Sequence, residues 1–282
     1  MFSLLLPQAA AMVKDGKSKT LLIADPHIGW EIELQEKGIH VPSQTAKILT
    51  KLETILKEHK PDALAILGDV KYTVTSSELA EWQDIPVFFK KLQHLVKKIS
   101  VVRGNHDANL EPLLPENVEM LPATGVVIGD VGIFHGHKWP SPALLGCKTL
   151  VMGHMHPVVV FRDPVGCRLT RQVWLHIKID NHILGRILLK KAGVKIGSSV
   201  AETLRVQFGV ELATTELYIM PSFNDFLGGR PINENRTRKE KGSEASIGPV
   251  LRSEAVSVEN AELYLLDGTF LGTANQLRTL RV

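Results

Sequence analysis

The chain of 282 residues reads as an α/β protein with two β-sheets, and three observations predict it. Apolar, strand-like stretches alternate with helical ones through the first half, which is the β-α-β logic of a mostly parallel sheet. From Val118 onward the runs VEML, GVVI, VGIF, TLVM and PVVVF follow closely, as a second sheet with tight connections would. Five short motifs bearing Asp and His each fall just after a strand-like stretch, where an α/β sheet collects its functional groups.

Taken in order, TLLIA leads into ADPH (Asp25, His27). Ser43 can then cap a helix carrying Ile48, Leu49, Leu52, Ile55 and Leu56 on one face, and Pro61 ends it. ALAIL is the next buried strand and leads into LGD (Gly68, Asp69). A second helical stretch spans about Ser77 to Lys98, where Pro86 is expected to force a break or kink. ISVVR delivers RGNHD (Gly104, Asn105, His106, Asp107), VGIF delivers FHGH (His135, His137), and KTLVM delivers MGHMH (Gly153, His154, His156). Residues 176–213 look longer than the link needed between VWL and the strand ELYIM, with helices expected near Ile183–Lys191 and Val200–Phe208. That segment reads as an insertion on the surface; the sharper alternative is a homo-oligomer or protein-partner element. Residues 229–253 carry RTRKEK amid Gly, Asn and Ser and read as a mobile polar loop. Asp267-Gly268, between the runs of AELYLLDGTFLG, signals a hairpin. No repeat or second domain is evident, so residues 1–282 are expected to form one domain.

Composition narrows the function classes. With 44% hydrophobic residues the chain can bury a sizeable core. No stretch reaches the roughly 18 apolar residues of a membrane helix, so no membrane partner is expected. The opening MFSLLLPQAAAMV is apolar but short and lacks a basic start, which argues against a secretory signal. Cys147 and Cys167 have no CxxC spacing and suggest neither a disulfide framework nor a zinc ribbon; a reducing, cytoplasmic location is expected. A net charge of +3 is no strong footprint for nucleic acid, though it does not exclude it.

Six of the eleven histidines lie in the five motifs. Asp and neutral His ligate borderline divalent ions such as Mn²⁺, Fe²⁺ or Zn²⁺, and Asn can add a carbonyl oxygen. Two such ions about 3.5–4 Å apart can clamp the attacking and departing oxygens of a phosphoryl displacement. A bridging carboxylate needs two accessible oxygens, and Asp69 is the candidate. Gly68, Gly104, Gly136 and Gly153 let the backbone turn sharply or approach an ion closely. The remaining histidines, His40, His59, His94, His176 and His182, read as hydrogen-bonded core residues. Any one motif alone reads as an ordinary turn; the ordered set reads as a two-metal hydrolytic site.

The ordered set D-x-H, GD, GNHD, H and GHxH, over residues 25–156, resembles the signature of the calcineurin-like metallophosphoesterases. The flanks ADPHIGWEIELQEKGIHVP, GDVKY, IMPSFNDFLGG and AELYLLDGTFLG are similar to the archaeal-type, SbcD-related branch. The resemblance implies a four-layer α-β-β-α sandwich, with two central mixed sheets and the metal site at the strand C-terminal ends. It implies Asp25, His27 and His156 on a first metal, Asp69 bridging, and Asn105, His135 and His154 on a second. Mn²⁺ is the first choice, with Fe²⁺, Zn²⁺ or Ni²⁺ as others. His106 would be the catalytic histidine near the leaving oxygen, with Asp107 beside it to orient the ring. His137 is left as a support to the ligands or a substrate-facing group. The implied activity is phosphoester hydrolysis, most specifically of phosphodiesters, with DNA as the leading substrate. Two features depart from SbcD-type nucleases: Tyr72 stands where they carry a His, and only 126 residues follow His156 for DNA-capping and partner-binding segments. Small-molecule nucleotide phosphodiesterase, phosphomonoesterase and non-catalytic scaffold are the alternatives.

Overall fold

The period-two pattern of the apolar strands decides how the layers stack. In the strand Ser18–Ile23 and its exit, Leu21 and Ile23 face one core while Leu22 and Ala24 face another. The computed structural model describes residues 1–74, 79–163, 165–234 and 247–279. Its first sheet holds β1 (Phe2–Leu4), β2 (Ala10–Asp15), β3 (Ser18–Ile23), β4 (Ala63–Ile66), β5 (Lys98–Val102) and β6 (Val118–Leu121), in that spatial order. β1 through β3 pair antiparallel; β3, β4, β5 and β6 run parallel. The second sheet holds β7 (Val126–Ile128), β8 (Val131–Phe134), β9 (Thr149–Met152), β10 (Pro157–Arg162), β11 (Arg168–Lys178), β12 (Glu216–Ile219), β13 (Arg230–Pro231), β14 (Glu262–Leu265) and β15 (Phe270–Thr273). Its order is β13-β10-β11-β12-β9-β8-β7, with β14 also on β11 and β15 on β14.

Helices α1 (Ile32–Glu36), α2 (Thr45–His59) and α3 (Leu79–Gln93) follow strands of the first sheet. α4 (Asn181–Lys191) and α5 (Val200–Phe208) belong to the second, and α6 (Ala274–Thr279) closes the described chain. α2 buries Ile48, Leu49, Leu52, Ile55 and Leu56 against the outer face of the first sheet, on the expected face. α4 and α5 bury Leu184, Leu188, Leu189 and Leu204 against the outer face of the second. Between the sheets, Leu22, Ala24, Ala65, Leu67 and Val102 meet Ile133, Val151, Trp174 and Met220. The layers are therefore α-β-β-α, as the sequence predicts.

Several local expectations change. VEML is not in the second sheet; as β6 it pairs parallel to β5 and ends the first. Ser43 is not the cap residue of α2: Gln44 occupies that position with no side-chain cap bond, while Ser43 Oγ, one residue earlier, accepts the Thr45 N–H at 3.3 Å and donates to Asp84. α3 runs unbroken through Pro86. The two helices expected in 176–213 form, each capped by a side chain that accepts a backbone N–H: Asp180 from Ile183, and Ser199 from Glu202. His176 to Lys178, however, are still strand β11. His40, His94 and His182 are exposed and His59 is half-buried, so none is a core residue. His176 is half-buried and pairs with Glu262 at 2.9 Å. In 229–253, the ends are packed: Ile232, Ile247, Val250 and Leu251 are buried, and β13 pairs with β10. The RTRKEK run lies outside the described residues. The Asp267-Gly268 hairpin forms between β14 and β15. No helix among the described residues is long and apolar enough to cross a membrane.

Candidate metal centre

Each motif sits on the turn that leaves the C-terminal end of a strand with at least one parallel neighbour. Asp25 and His27 follow β3, Asp69 follows β4, and Asn105 and His106 follow β5; His135 follows β8, and His154 and His156 follow β9. Residues from both sheets thus meet at one end of the sandwich. The turns are strained: Asp25, His27, Asp69, His154 and His156 have φ of 53°, 41°, 52°, 67° and 48°. Only Lys60 and Asn109 share that region among the other described non-glycine residues. Each such residue costs about 1–3 kcal/mol, and such strain gathers where function fixes the backbone.

Three overlapping triads result: Asp25, His27 and His156; Asp69, His135 and His154; and His27, Asp69 and His106. Within each, the ligand atoms all lie within 4.8 Å of one another. Asp69 Oδ2 is 3.6 Å from His27 Nε2 and 3.3 Å from His135 Nε2. Asp25 Oδ2 is 3.6 Å from His156 Nε2, which lies 3.3 Å from His27 Nε2. Asn105 Oδ1 is 3.1 Å from His135 Nε2. His135 Nδ1 donates to the Leu67 carbonyl at 2.7 Å, which turns Nε2 toward Asp69.

Hydrogen bonds fix the remaining groups. Asp69 Oδ1 accepts the His106 N–H at 2.8 Å, leaving Oδ2 for the imidazoles. Asp107 is buried and accepts the N–H groups of Asp69, Val70 and Gly104 at 2.8, 2.8 and 2.7 Å. Its carboxylate therefore holds the Gly68-Asp69 turn. The His106 ring is met instead by the Tyr72 carbonyl, which accepts from Nδ1. His106 Nε2 points to the centre, 4.0 Å from Asp69 Oδ2. His137 stands beside His135 and His154, with ring centroids 5.2 and 6.1 Å away.

The donor set fits divalent ions. Asp25 Oδ1, His27 Nδ1 and His154 Nε2 are buried and make no hydrogen bond among the described residues, a state that is costly without a partner. Burial pushes His154 down to about 3 and His137 to about 4, and holds His27 well below the usual range, which favours the neutral form of all three rings. Burial also works against charging His135, but the Asp69 and Asp25 carboxylates outweigh it and raise it to about 10. Burial and the Asp69 charge together raise Asp107 to about 6. The glycines leave room: a Cβ on Gly104 would come within 2.2 Å of Asp69 Oδ1, and one on Gly153 within 2.6 Å of Asp25 Oδ2.

Residues far along the chain complete the walls. Ser222 Oγ donates to the Asp25 carbonyl at 2.7 Å, and Asn224 Nδ2 to the Pro26 carbonyl at 3.0 Å. Gly248 packs so close that a Cβ would meet the Gly136 carbonyl at 2.1 Å, with His154 Cδ2 at 3.6 Å. Lys71, two residues past Asp69, is fully buried. Ser222 and Asn224 lie in a recognisable flank, IMPSFNDFLGG; Gly248 carries no signal of its own. Arg103, just before the Gly104-Asn105 turn, is paired with Glu111.

A metal centre between two sheets, built from these five turns, defines a class. The model of the calcineurin-like phosphoesterases matches residues 18–210, and the chain belongs to that family of metal-dependent phosphoester hydrolases. Among solved structures, the nuclease MPE of Pseudomonas putida is similar, with 19% identity, 95% of this chain and 98% of that one covered, and a TM-score of 0.48. The phosphoesterase Yfce of E. coli has 19% identity over 51% of this chain and 73% of its own, with a TM-score of 0.33. A protein of unknown function from Aquifex aeolicus has 21% identity over 52% and 82%, with a TM-score of 0.33. No curated protein matches the chain.

Proposed function

We propose that the protein is a phosphodiesterase working with two divalent ions, Mn²⁺ before Fe²⁺, Zn²⁺ or Ni²⁺. Asp25, His27 and His156 would hold one, Asn105, His135 and His154 the other, with Asp69 between them. The observation that carries the reading is that Asp69 belongs to two of the ligand triads, its Oδ2 facing an imidazole from each side. Bound ions would supply positive charge that clamps and polarises a phosphoryl group.

The side chains of the site have distinct tasks. Asp107, through three backbone amides, keeps the Asp69 turn in place. The Tyr72 carbonyl accepts the His106 Nδ1 proton and so fixes the orientation of the ring. Nε2 is thereby the ring atom on the side of the centre, placed to pass a proton to a departing oxygen. Because His106 also falls within a triad with His27 and Asp69, its role as proton donor rather than ligand is testable by substitution.

DNA phosphodiesters are the leading substrate in this reading, on the SbcD-like flanks, and small nucleotide diesters compete with them. The free thiols, Cys147 buried and Cys167 exposed, agree with a cytoplasmic setting. The deciding experiment is an Mn²⁺ assay on bis-nitrophenyl phosphate, single-stranded DNA, duplex ends, cyclic nucleotides and phosphomonoesters, at low and moderate salt. Hydrolysis of diesters that stops with chelator and returns with Mn²⁺ is expected. Equal rates in saturating chelator would refute the metal assignment, and bound metal without turnover on any ester would favour a scaffold. DNA cleavage should weaken steeply with salt, because several backbone phosphates are neutralised at once.

A further inference from the structure

The loop 222–230 is laced to both turns that carry Asp25, His27 and His156. At its start, the Phe223 N–H donates to the Ala24 carbonyl at 2.7 Å, beside the Ser222 and Asn224 bonds to Asp25 and Pro26. At its end, the Arg230 N–H donates to the His156 carbonyl at 2.9 Å, and a Cβ on Gly229 would come within 2.4 Å of that oxygen. Asn224 Oδ1 accepts the Phe226 N–H at 3.0 Å, which fixes the bend between the two ends. Phe226 emerges from that bend 46% exposed.

An exposed phenylalanine alone needs no explanation, but this one is assembled. Trp30, three residues past His27, stacks on it with ring centroids 5.8 Å apart and planes 11° from parallel. Lys47, from α2, places Nζ 4.9 Å from the ring centroid. Next to it Lys51 is anchored by the Asp225 carboxylate at 2.6 Å and the Phe223 carbonyl at 3.1 Å. Depressions lie on two sides of the loop: one of about 420 Å³ lined by Lys47, Thr50 and Lys51, the other of about 250 Å³ lined by Arg168, Gln172, Phe226 and Gly229. Lys47 is a displaceable cover, since its stem is flexible and its ammonium can turn to a phosphate. An aromatic face flanked by cations, rigidly tied to phosphate-handling turns, matches the chemistry of a nucleotide: every base has a π-face, and each carries an adjacent phosphate.

We propose that Phe226, backed by Trp30 and covered by Lys47, is the stacking platform for a nucleobase beside the scissile phosphodiester. The preferred substrates are then base-bearing diesters rather than phosphoesters in general. The proposal rests on the phosphodiesterase reading above.

The test compares thymidine 5′-(p-nitrophenyl phosphate) with methyl p-nitrophenyl phosphate, which share a leaving group and differ in the nucleoside. The thymidine ester should have the lower KM, and Phe226→Ala should raise that KM by about 5- to 150-fold while leaving the methyl ester unchanged. Phe226→Trp should restore the preference, which a role in mere packing would not require. Equal effects on both esters, or none, would overturn the proposal. Calorimetry of the Mn²⁺-loaded protein with thymidine 5′-monophosphate and methyl phosphate provides a readout without turnover. If the protein hydrolyses neither ester, the phosphodiesterase reading fails, and the calorimetry still decides on the platform. Tighter nucleotide binding that Phe226→Ala removes supports it; equal binding of the two ligands, or binding of neither, overturns it. A single-stranded oligonucleotide and a dinucleotide, at two salt concentrations, separate the two sources of such a base. Loss in Phe226→Ala on neither would also overturn it.

Discussion

Asp69 has one oxygen committed to the His106 amide and the other facing His27 and His135. Turning it into a neutral amide removes the charge that both imidazoles address, so Asp69→Asn should lose metal occupancy and rate together. His106 is held by a carbonyl through Nδ1 and offers only Nε2 to the centre. His106→Asn should keep the metals and lose about 10²–10⁴-fold in rate, the usual contribution of a general acid. Metal analysis beside steady-state rates checks both variants; a metal site emptied by His106→Asn would make that residue a ligand. The residues the structure brings together at the centre were legible because each stands at a fixed place in a short motif. Asp107 was legible as a neighbour of His106 but not as the anchor of the Asp69 turn, because that contact spans 38 residues. The positive φ of five Asp and His positions in the motifs was not legible either, since these residues adopt it only when the surrounding packing imposes it.

At the scale of elements, burial decides what each segment tolerates. Leu52 is fully buried in the face that α2 lays on the first sheet. Leu52→Ala should cost about 2–5 kcal/mol of stability, measured by denaturant unfolding, and should leave the rate per folded molecule unchanged. A loss below 1 kcal/mol would mean that α2 is not part of the folded core. α2 could be read in advance because its apolar positions repeat with helical period over fifteen residues. β6 could not be assigned to its sheet, because four residues of strand pattern do not say which neighbour supplies the hydrogen bonds. The β1-β2 pair was read only as an apolar opening, its strands being short and joined by a turn around Pro7. Pro86 lies mid-helix, yet burial of Ile85, Phe88 and Phe89 beside it outweighs one missing backbone bond.

The whole molecule is two sheets whose Asp- and His-bearing ends meet, and ions bound there would join them. Asp25, Asp69 and Asn105 come from the first sheet; His135, His154 and His156 come from the second. Metal should therefore stabilise the native state, by about 2.7 kcal/mol at a free concentration 100 times Kd. That corresponds to a rise in Tm of roughly 5 °C for each ion loaded. Thermal melts with and without chelator check it; superimposable melts would place the ions elsewhere or nowhere. Two layers of sheet with helices outside could be foreseen from strand spacing and the ordered motifs. The third contributor to the site, the returning segments around Ser222 and Gly248, depends on contacts to Asp25 and Gly136 far away in sequence, 197 residues in the case of Ser222, which no local pattern encodes.

The most direct measurement strips the protein with chelator and titrates Mn²⁺ back while counting bound ions and following hydrolysis of bis-nitrophenyl phosphate. Two ions per chain, with the rate rising as the second site fills and absent in the stripped protein, is the predicted result. Full activity in the stripped protein, or saturation at one ion with no further gain, would contradict a two-metal centre built around Asp69.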